Sequence, residues 1–427
     1  MSEKKSSFIT YFIIVVAALG YFVDIYDLIL FNVVKKESLD AMMQGALPEA
    51  IKSTGIFLFN VQMIGMLLGG LLWGVWGDKK GRLSVLFGSI LCYSIANVTN
   101  AFVASVPMYA LARLIAGIGL AGELGAGITL VSETMSKEKR GYGTMIIVAF
   151  GALGAVVAAM VGANGQAIGN FLGRIFNTTF ANWQVAYILG GTLGFALLIL
   201  RVGTIESGMF KNIQQTNVRR GDIRMLFNNK ERFLKYLNCI LVGLPIWYFV
   251  GLLVANSESI WAKELNVQGH VVNGTALMCA YIGLSVGDVF SGLISQFLKS
   301  RRKVVFLYLV LSFIITVYYL FFANGISLQG FYVLSFLIGA ATGYWAIFVT
   351  IAAEQFGTNI RSTVTNTVPN FVRGSVPLIT MLFRFLTLHV TNNIISAFIV
   401  GLLCLGLSLW AIYRTKETFW KDLDYTE

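Results

Sequence analysis

Six ionisable side chains stand deep inside apolar sequence: Asp24, Asp27, Arg113, Glu123, Asp288 and Arg373. An uncompensated charge at such a place is costly, so a charge retained there pairs, binds or carries a proton. Asp24 and Asp27 are three residues apart and share one face of a helix. At 1.5 Å per helical residue they come out roughly 15 and 10 Å below one membrane face, with Arg113 at about the depth of Asp27. A carboxyl that alternates between a dry setting and an arginine partner takes up and returns a proton. Asp24, Asp27 and Arg113 are therefore the expected proton-coupling groups; a permanent structural pair is the alternative. Arg373 lies about 18 Å from the opposite face, near the midplane, among Asn366, Pro369, Asn370 and Pro377. Prolines free backbone carbonyls, and a guanidinium grips a carboxylate with two parallel hydrogen bonds. Arg373, Asn370 and Asn366 are expected to meet an anionic substrate group, and an internal pair between Arg373 and Asp288 is the alternative. Tyr26, Trp247, Tyr248 and Tyr281 are candidates for the remaining pocket lining. Aromatic residues of membrane helices more often pack or face lipid. Glu123 and Glu133 read as gate or loop-network groups.

The chain that must position these groups has 427 residues, 56% hydrophobic and 12% charged, about half the usual charge content of a soluble domain. That excludes a disordered chain and a soluble enzyme. Apolar runs long enough to cross a bilayer, which takes about 20 residues, fall at about 8–34, 54–76, 83–104, 107–131, 142–165 and 183–203. A second set falls at about 233–256, 271–298, 303–323, 328–353, 362–388 and 391–413. The expectation is an all-α membrane protein of twelve transmembrane helices in two pseudo-symmetric six-helix bundles. Residues 1–203 would form the first bundle, 204–232 a linker loop, and 233–427 the second bundle with a short tail. Asn164, Gln166, Asn170 and Arg174 interrupt the apolar character after the fifth run. The first run is longer than the core of a cleaved signal and carries two acids that a signal does not need.

The net charge of +11, from 32 Lys+Arg against 21 Asp+Glu, is explained by where the bases fall. About 22, including Lys4, Lys5 and Lys211, lie on loops of one face, and about 5 (Lys35, Lys36, Lys52, Arg174 and Lys263) on the other, so the first face is expected to be cytoplasmic. Both termini would then be cytoplasmic, and no nucleic-acid partner is needed to account for the excess.

The halves also carry a repeat. Glu133, Arg140 and Thr144 have the spacing of Glu354, Arg361 and Thr365, at an offset of 221 that also carries Gly122 onto Gly343 and Thr129 onto Thr350. Asp78 and Arg82 have Gln296 and Arg301 as degraded counterparts. Duplicated halves around a central site are a secondary-transporter architecture. The loop Gly74-Val75-Trp76-Gly77-Asp78-Lys79-Lys80-Gly81-Arg82 resembles the signature loop of the major facilitator superfamily. Gly20 through Asp27, Arg113 through Glu123 and Glu133 through Gly141 are similar to the first helix, fourth helix and following loop of its metabolite:proton symporter family. The second half departs from that family, since Ser295 through Arg302 lacks the aspartate. The resemblance implies alternating access by two rocking halves, with Gly74, Asp78, Gly81, Arg82, Glu133, Arg140, Glu354 and Arg361 as gating residues.

The function expected is proton-coupled uptake of a small carboxylate-bearing metabolite, an amino acid or organic acid. The alternative is a larger anion such as a carboxylate siderophore, or export. Gly151, Gly154 and Gly162 lack the Gly-Pro pairing of many drug antiporters, which favours import. A membrane enzyme would need a catalytic cluster. Cys92, Cys239, Cys279 and Cys404 show no metal spacing, and His270 and His389 fall near helix ends. No catalytic residue, metal or cofactor is expected. The partners expected are solute, protons and the bilayer of a bacterial inner membrane, with the chain a monomer.

Overall fold

The computed structural model describes residues 3–177, 179–203 and 218–427. Residues 204–217 of the expected linker, Lys211 among them, lie outside the described residues. With no water in a bilayer core to satisfy backbone groups, an apolar chain crosses it as helix, and the described residues contain twelve helices long and apolar enough to do so. These are α1 (Tyr11–Met42), α2 (Pro48–Lys80), α3 (Arg82–Asn100), α4 (Val106–Thr134), α5 (Arg140–Gly162), α6 (Asn182–Leu200), α7 (Lys230–Val254), α8 (Asn273–Leu298), α9 (Arg301–Phe321), α10 (Leu328–Gln355), α11 (Arg361–His389) and α12 (Asn393–Arg414). The helix of α5 does not end where Asn164 and Gln166 interrupt its apolar character. It runs on through Asn170 and Arg174 to Phe176 and stops at Asn177, whose φ of 51° is left-handed.

Small residues set the packing of each bundle. Gly65 and Gly69 of α2 lie against the backbone of Leu114 and Ile118 of α4, and Gly283 and Gly287 of α8 against that of Phe336 and Ala340 of α10. A Cβ on Gly287 would come within 2.9 Å of the Gly343 Cα, so only glycine permits this approach.

The sequence repeat is also a repeat of shape. The α4 helix breaks after Leu120 and resumes at Glu123; α10 breaks after Ala341, 221 positions on, and resumes at Trp345. Arg140 and Arg361, also 221 apart, begin α5 and α11. Pro245 lies inside α7, whose next stretch, Tyr248–Val254, widens to a π-helix, as expected where a proline removes a backbone donor. The bundles meet along two related seams, α2 on α11 and α5 on α8.

Candidate functional site

The central charges converge between the bundles. Asp24 on α1 and Arg373 on α11 are both buried, and an Asp24 carboxylate oxygen lies 3.6 Å from an Arg373 guanidinium nitrogen. Neither Asp24 oxygen has a hydrogen-bond partner. The guanidinium donates to the Asn370 side-chain oxygen at 3.3 Å and stands 5.5 Å from the Trp345 ring centre and 6.0 Å from that of Trp247, both within cation–π range. Asn370 in turn donates to the carbonyl of Ala121, at the break in α4, at 3.0 Å. Arg373 thus belongs to one bundle and its acid to the other.

The second pair lies inside the first bundle. Asp27 and Arg113 approach to 3.9 Å, again with no hydrogen bond to either Asp27 oxygen. Arg113 donates to the side-chain oxygen of Gln62 and lies over the rings of Phe31, at 4.8 Å, and Tyr187, at 5.8 Å. The depth estimate that let Asp27 and Arg113 meet thus corresponds to a real contact.

Other buried charges are held differently. Glu123 receives two hydrogen bonds from Arg201, at 2.5 and 3.0 Å, and one from Ser89 at 2.7 Å. Asp288 accepts the Ala346 backbone N–H at 2.9 Å through one oxygen, where α10 resumes, and its other oxygen has no hydrogen-bond partner. Arg373 does pair internally, but with Asp24 and not with Asp288. A charge buried for stability needs its lone pairs filled by hydrogen bonds, and Glu123 meets that requirement. Asp24 and Asp27 do not, and such loosely held acids are chemically available.

The remaining candidates are placed variously. The Tyr26 hydroxyl donates to the Ala186 carbonyl and that of Tyr248 to Ala397, each at 2.9 Å. The Asn366 amide donates to the Ser362 carbonyl at 2.9 Å. Tyr281 and Trp247 line a narrow cavity with Asn32 and Phe59. Sequence reasoning missed Gln62, Asn97 and Arg201. The signal available for Asn97, whose side-chain atoms have no hydrogen-bond partner, was a lone amide within an apolar helix.

Where the basic loops lie, the bundles are locked. Asp78 accepts the backbone N–H groups of Ser362, at 3.0 Å, and Thr363, at 2.8 Å, with the Thr363 hydroxyl at 2.7 Å, so its charge sits on the positive N-terminal end of α11. Gly74 lies against Thr363, and Gly81 turns the chain from α2 to α3 with φ 102°, a conformation that favours glycine. Arg82 reaches Glu133 at 2.8 Å and the Thr358 carbonyl at 3.0 Å, and Arg361 reaches Glu133 at 2.9 Å. The repeat-related contact, Arg140 to Glu354, is looser at 3.9 Å. Two hydroxyl pairs cross the same interface, Thr129 with Thr365 at 2.6 Å and Thr144 with Thr350 at 3.0 Å. Gln296, which replaces the aspartate in the second half, lies against Gly141 at the start of α5.

Residues 417–427 cover this face. Leu423 accepts from Arg361 at 2.6 Å and Lys421 from Arg140 at 3.1 Å, both through backbone carbonyls. Glu417 accepts from the Ser300 hydroxyl at 2.5 Å and from the Arg301 backbone at the start of α9 at 3.0 Å. Burial pushes the Glu417 carboxyl up, but these bonds and those from Phe419 and Thr418 outweigh it and hold it below its ordinary value. On the opposite face the bundles are parted by a cavity of about 410 Å³ whose lining includes Lys35, Lys52, Asn60, Asn256, Thr380 and Arg384. Arg384 adds a cation to that face that the count of loop bases does not include.

Comparison with known proteins agrees with this architecture. The family model described as Major Facilitator Superfamily matches residues 7–376. The chain is 26% identical, over 87% of its length and 88% of the relative's, to a putative niacin/nicotinamide transporter of Bacillus subtilis. It is 24% identical to a 3-(3-hydroxy-phenyl)propionate transporter of Escherichia coli, covering 84% of this chain and 85% of that one. The structure of a proton:xylose symporter superposes with a TM-score of 0.76 at 16% identity, over 98% of both chains.

Proposed function

Because the chain belongs to the major facilitator superfamily, and so is an integral membrane transporter and not an enzyme, we propose that it takes up a small aromatic or heteroaromatic monocarboxylate together with a proton. The observation that carries this reading is the loose Asp24–Arg373 pair across the bundle interface, flanked by Trp345 and Trp247. An aromatic acid presents a carboxylate to Arg373 and a ring to the tryptophans. The names of the two relatives support the ring in both cases and the carboxylate in niacin and hydroxyphenylpropionate, while nicotinamide, also in the first name, carries an amide in its place.

The mechanism follows from competition for one guanidinium. While Asp24 is charged it holds Arg373, because an unpaired buried charge on either side is costly. Solute entering from the Lys35 side brings a second carboxylate. Protonation of Asp24 removes its claim, and Arg373 transfers to the solute, with two hydrogen bonds available where Asp24 makes none. One proton and one monocarboxylate leave the site's net charge unchanged. The halves, residues 1–203 and 233–427 joined by 204–232, then rock. The Glu133–Arg361 and Glu354–Arg140 contacts part, Asp78 releases α11, and solute leaves on the basic face, which is cytoplasmic by its charge. Loss of the proton returns Asp24 to Arg373. Asp27 and Arg113 form a second proton-linked pair within the first bundle.

The test is uptake into proteoliposomes of benzoate, nicotinate, hydroxyphenylpropionate, proline and a tricarboxylate, with and without an imposed proton gradient. Saturable, gradient-driven uptake of the aromatic acids is expected, and Asp24→Asn should still exchange solute but no longer concentrate it. If only proline moves, or if Asp24→Asn accumulates solute as the parent does, the reading fails.

A further inference from the structure

We infer that the chain carries a built site for one anionic phospholipid of the leaflet at the basic face, formed where segment 219–224 packs on the end of α2. Two cavities adjoin there and share Val75, Lys79 and Ile223. The first, of about 430 Å³, gathers Lys79, Arg219, Arg220 and Arg224 against a single acid, Asp222. The second, of about 620 Å³, is apolar and runs along Leu71, Leu72 and Trp76. Leu72 and Trp76 are 48% and 45% exposed. A ligand filling both is an anion with a long apolar tail.

Local geometry separates this site from the general basic collar. Gly221 takes a left-handed φ of 59°, its N–H donates to the Asn359 carbonyl at 2.9 Å, and the Asn359 amide donates to the Arg219 carbonyl at 3.2 Å. The segment is thereby fixed, with its bases around one opening. Asp222 is turned to its own backbone, accepting the Arg224 N–H at 3.1 Å. Other bases of this face are engaged: Arg82, Arg140, Arg301 and Arg361 in ion pairs, and Arg232 and Lys235 with Glu427. Among the described residues Lys79, Arg219 and Arg224 have no ion-pair partner. Lys79 also belongs to the last turn of the span, the level of the headgroups, and Trp76, one turn inside, suits the membrane interface. Basic pockets at this level suit anionic headgroups.

The experiment reconstitutes the full chain in phosphatidylcholine nanodiscs doped with phosphatidylglycerol and counts retained lipid by native mass spectrometry. One phosphatidylglycerol per chain is expected. Arg219→Gln/Arg224→Gln should lower its retention about thirtyfold, the loss of two interfacial bases, while Arg219→Lys/Arg224→Lys keeps it. Lys137→Gln/Lys139→Gln, which removes the same charge from an exposed loop of the same face, should leave it unchanged. Equal loss in both glutamine pairs would reduce the site to collar electrostatics. Displacement of the lipid by millimolar inorganic phosphate would make it a small-anion site, and either result overturns the proposal.

Discussion

At the scale of single residues, hydrogen bonding separates two kinds of buried charge. Glu123 is saturated by Arg201 and Ser89, whereas Asp24 meets Arg373 at 3.6 Å with neither oxygen bonded. Substitutions should act in opposite ways at the two. Glu123→Gln removes one partner of a buried pair, a change that costs about 3–5 kcal/mol when the other charge is left uncompensated. Its expected effect is a lower unfolding temperature, with KM for the aromatic acid little changed in the protein that remains folded. Arg373→Lys keeps the charge and loses the planar fork. A rise in KM of about tenfold or more is expected, as for the loss of one charge-assisted bond, with unfolding temperature almost unmoved. Thermal unfolding and uptake kinetics on the same preparations check both. The presence of these charges was legible in the sequence, because an acid or arginine in apolar sequence is conspicuous. Their partners were legible only in part. Depth along a helix follows from counting residues and let Asp27 meet Arg113, but rotation about the axis does not, and rotation turned Arg373 to Asp24 and Asp288 to the start of a helical segment. Arg201 escaped although the run at about 183–203 contains it, because it stands at the end of that run, where a base looks like a loop residue.

Among elements, breaks and caps locate the working parts. The twelve spans and their repeat could be read from apolar runs and the offset of 221, since both are one-dimensional signals. The π-helical stretch of α7 and the continuation of α5 to Phe176 could not, because they depend on what neighbouring helices offer to freed or polar groups. Nor could the route of residues 417–427 over the basic face, where polar sequence shows only exposure. That docking has a pH signature. Glu417 titrates below its ordinary value when bound, so its contribution is present above the usual glutamate range, near pH 4.3, and is lost as pH falls through the lower bound-state value. The protection of amides 417–423, taken as exchange rate relative to the unstructured chain at the same pH, should therefore fall below about pH 4.3, and Glu417→Gln should show low protection already at neutral pH with a flatter profile. A profile unchanged by Glu417→Gln would assign the docking to the carbonyl contacts alone.

For the whole molecule, closure of the basic face and a cavity on the other describe one end of a transport cycle. The Thr129–Thr365 hydroxyls, 2.6 Å apart, span the interface that has to part. In a background with the four native cysteines replaced, Thr129→Cys/Thr365→Cys should crosslink under mild oxidation, stop net uptake, and recover on reduction. Solute binding from the Lys35 side should survive the crosslink. Uninterrupted transport by the crosslinked protein would show that this interface does not open.

The replacement of an aspartate by Gln296 gives that opening an order. On the α2–α11 seam a full negative charge rests on a helix end through Asp78; on the α5–α8 seam the equivalent position offers a neutral amide, and the accompanying ion pair is longer by 1.0 Å (3.9 against 2.9). A door fastened so unevenly swings before it lifts. The expected order is that the α5–α8 edge yields first with the α2–α11 edge as hinge, and spin-label distances across the two seams during turnover check it: equal or reversed opening would refute the order.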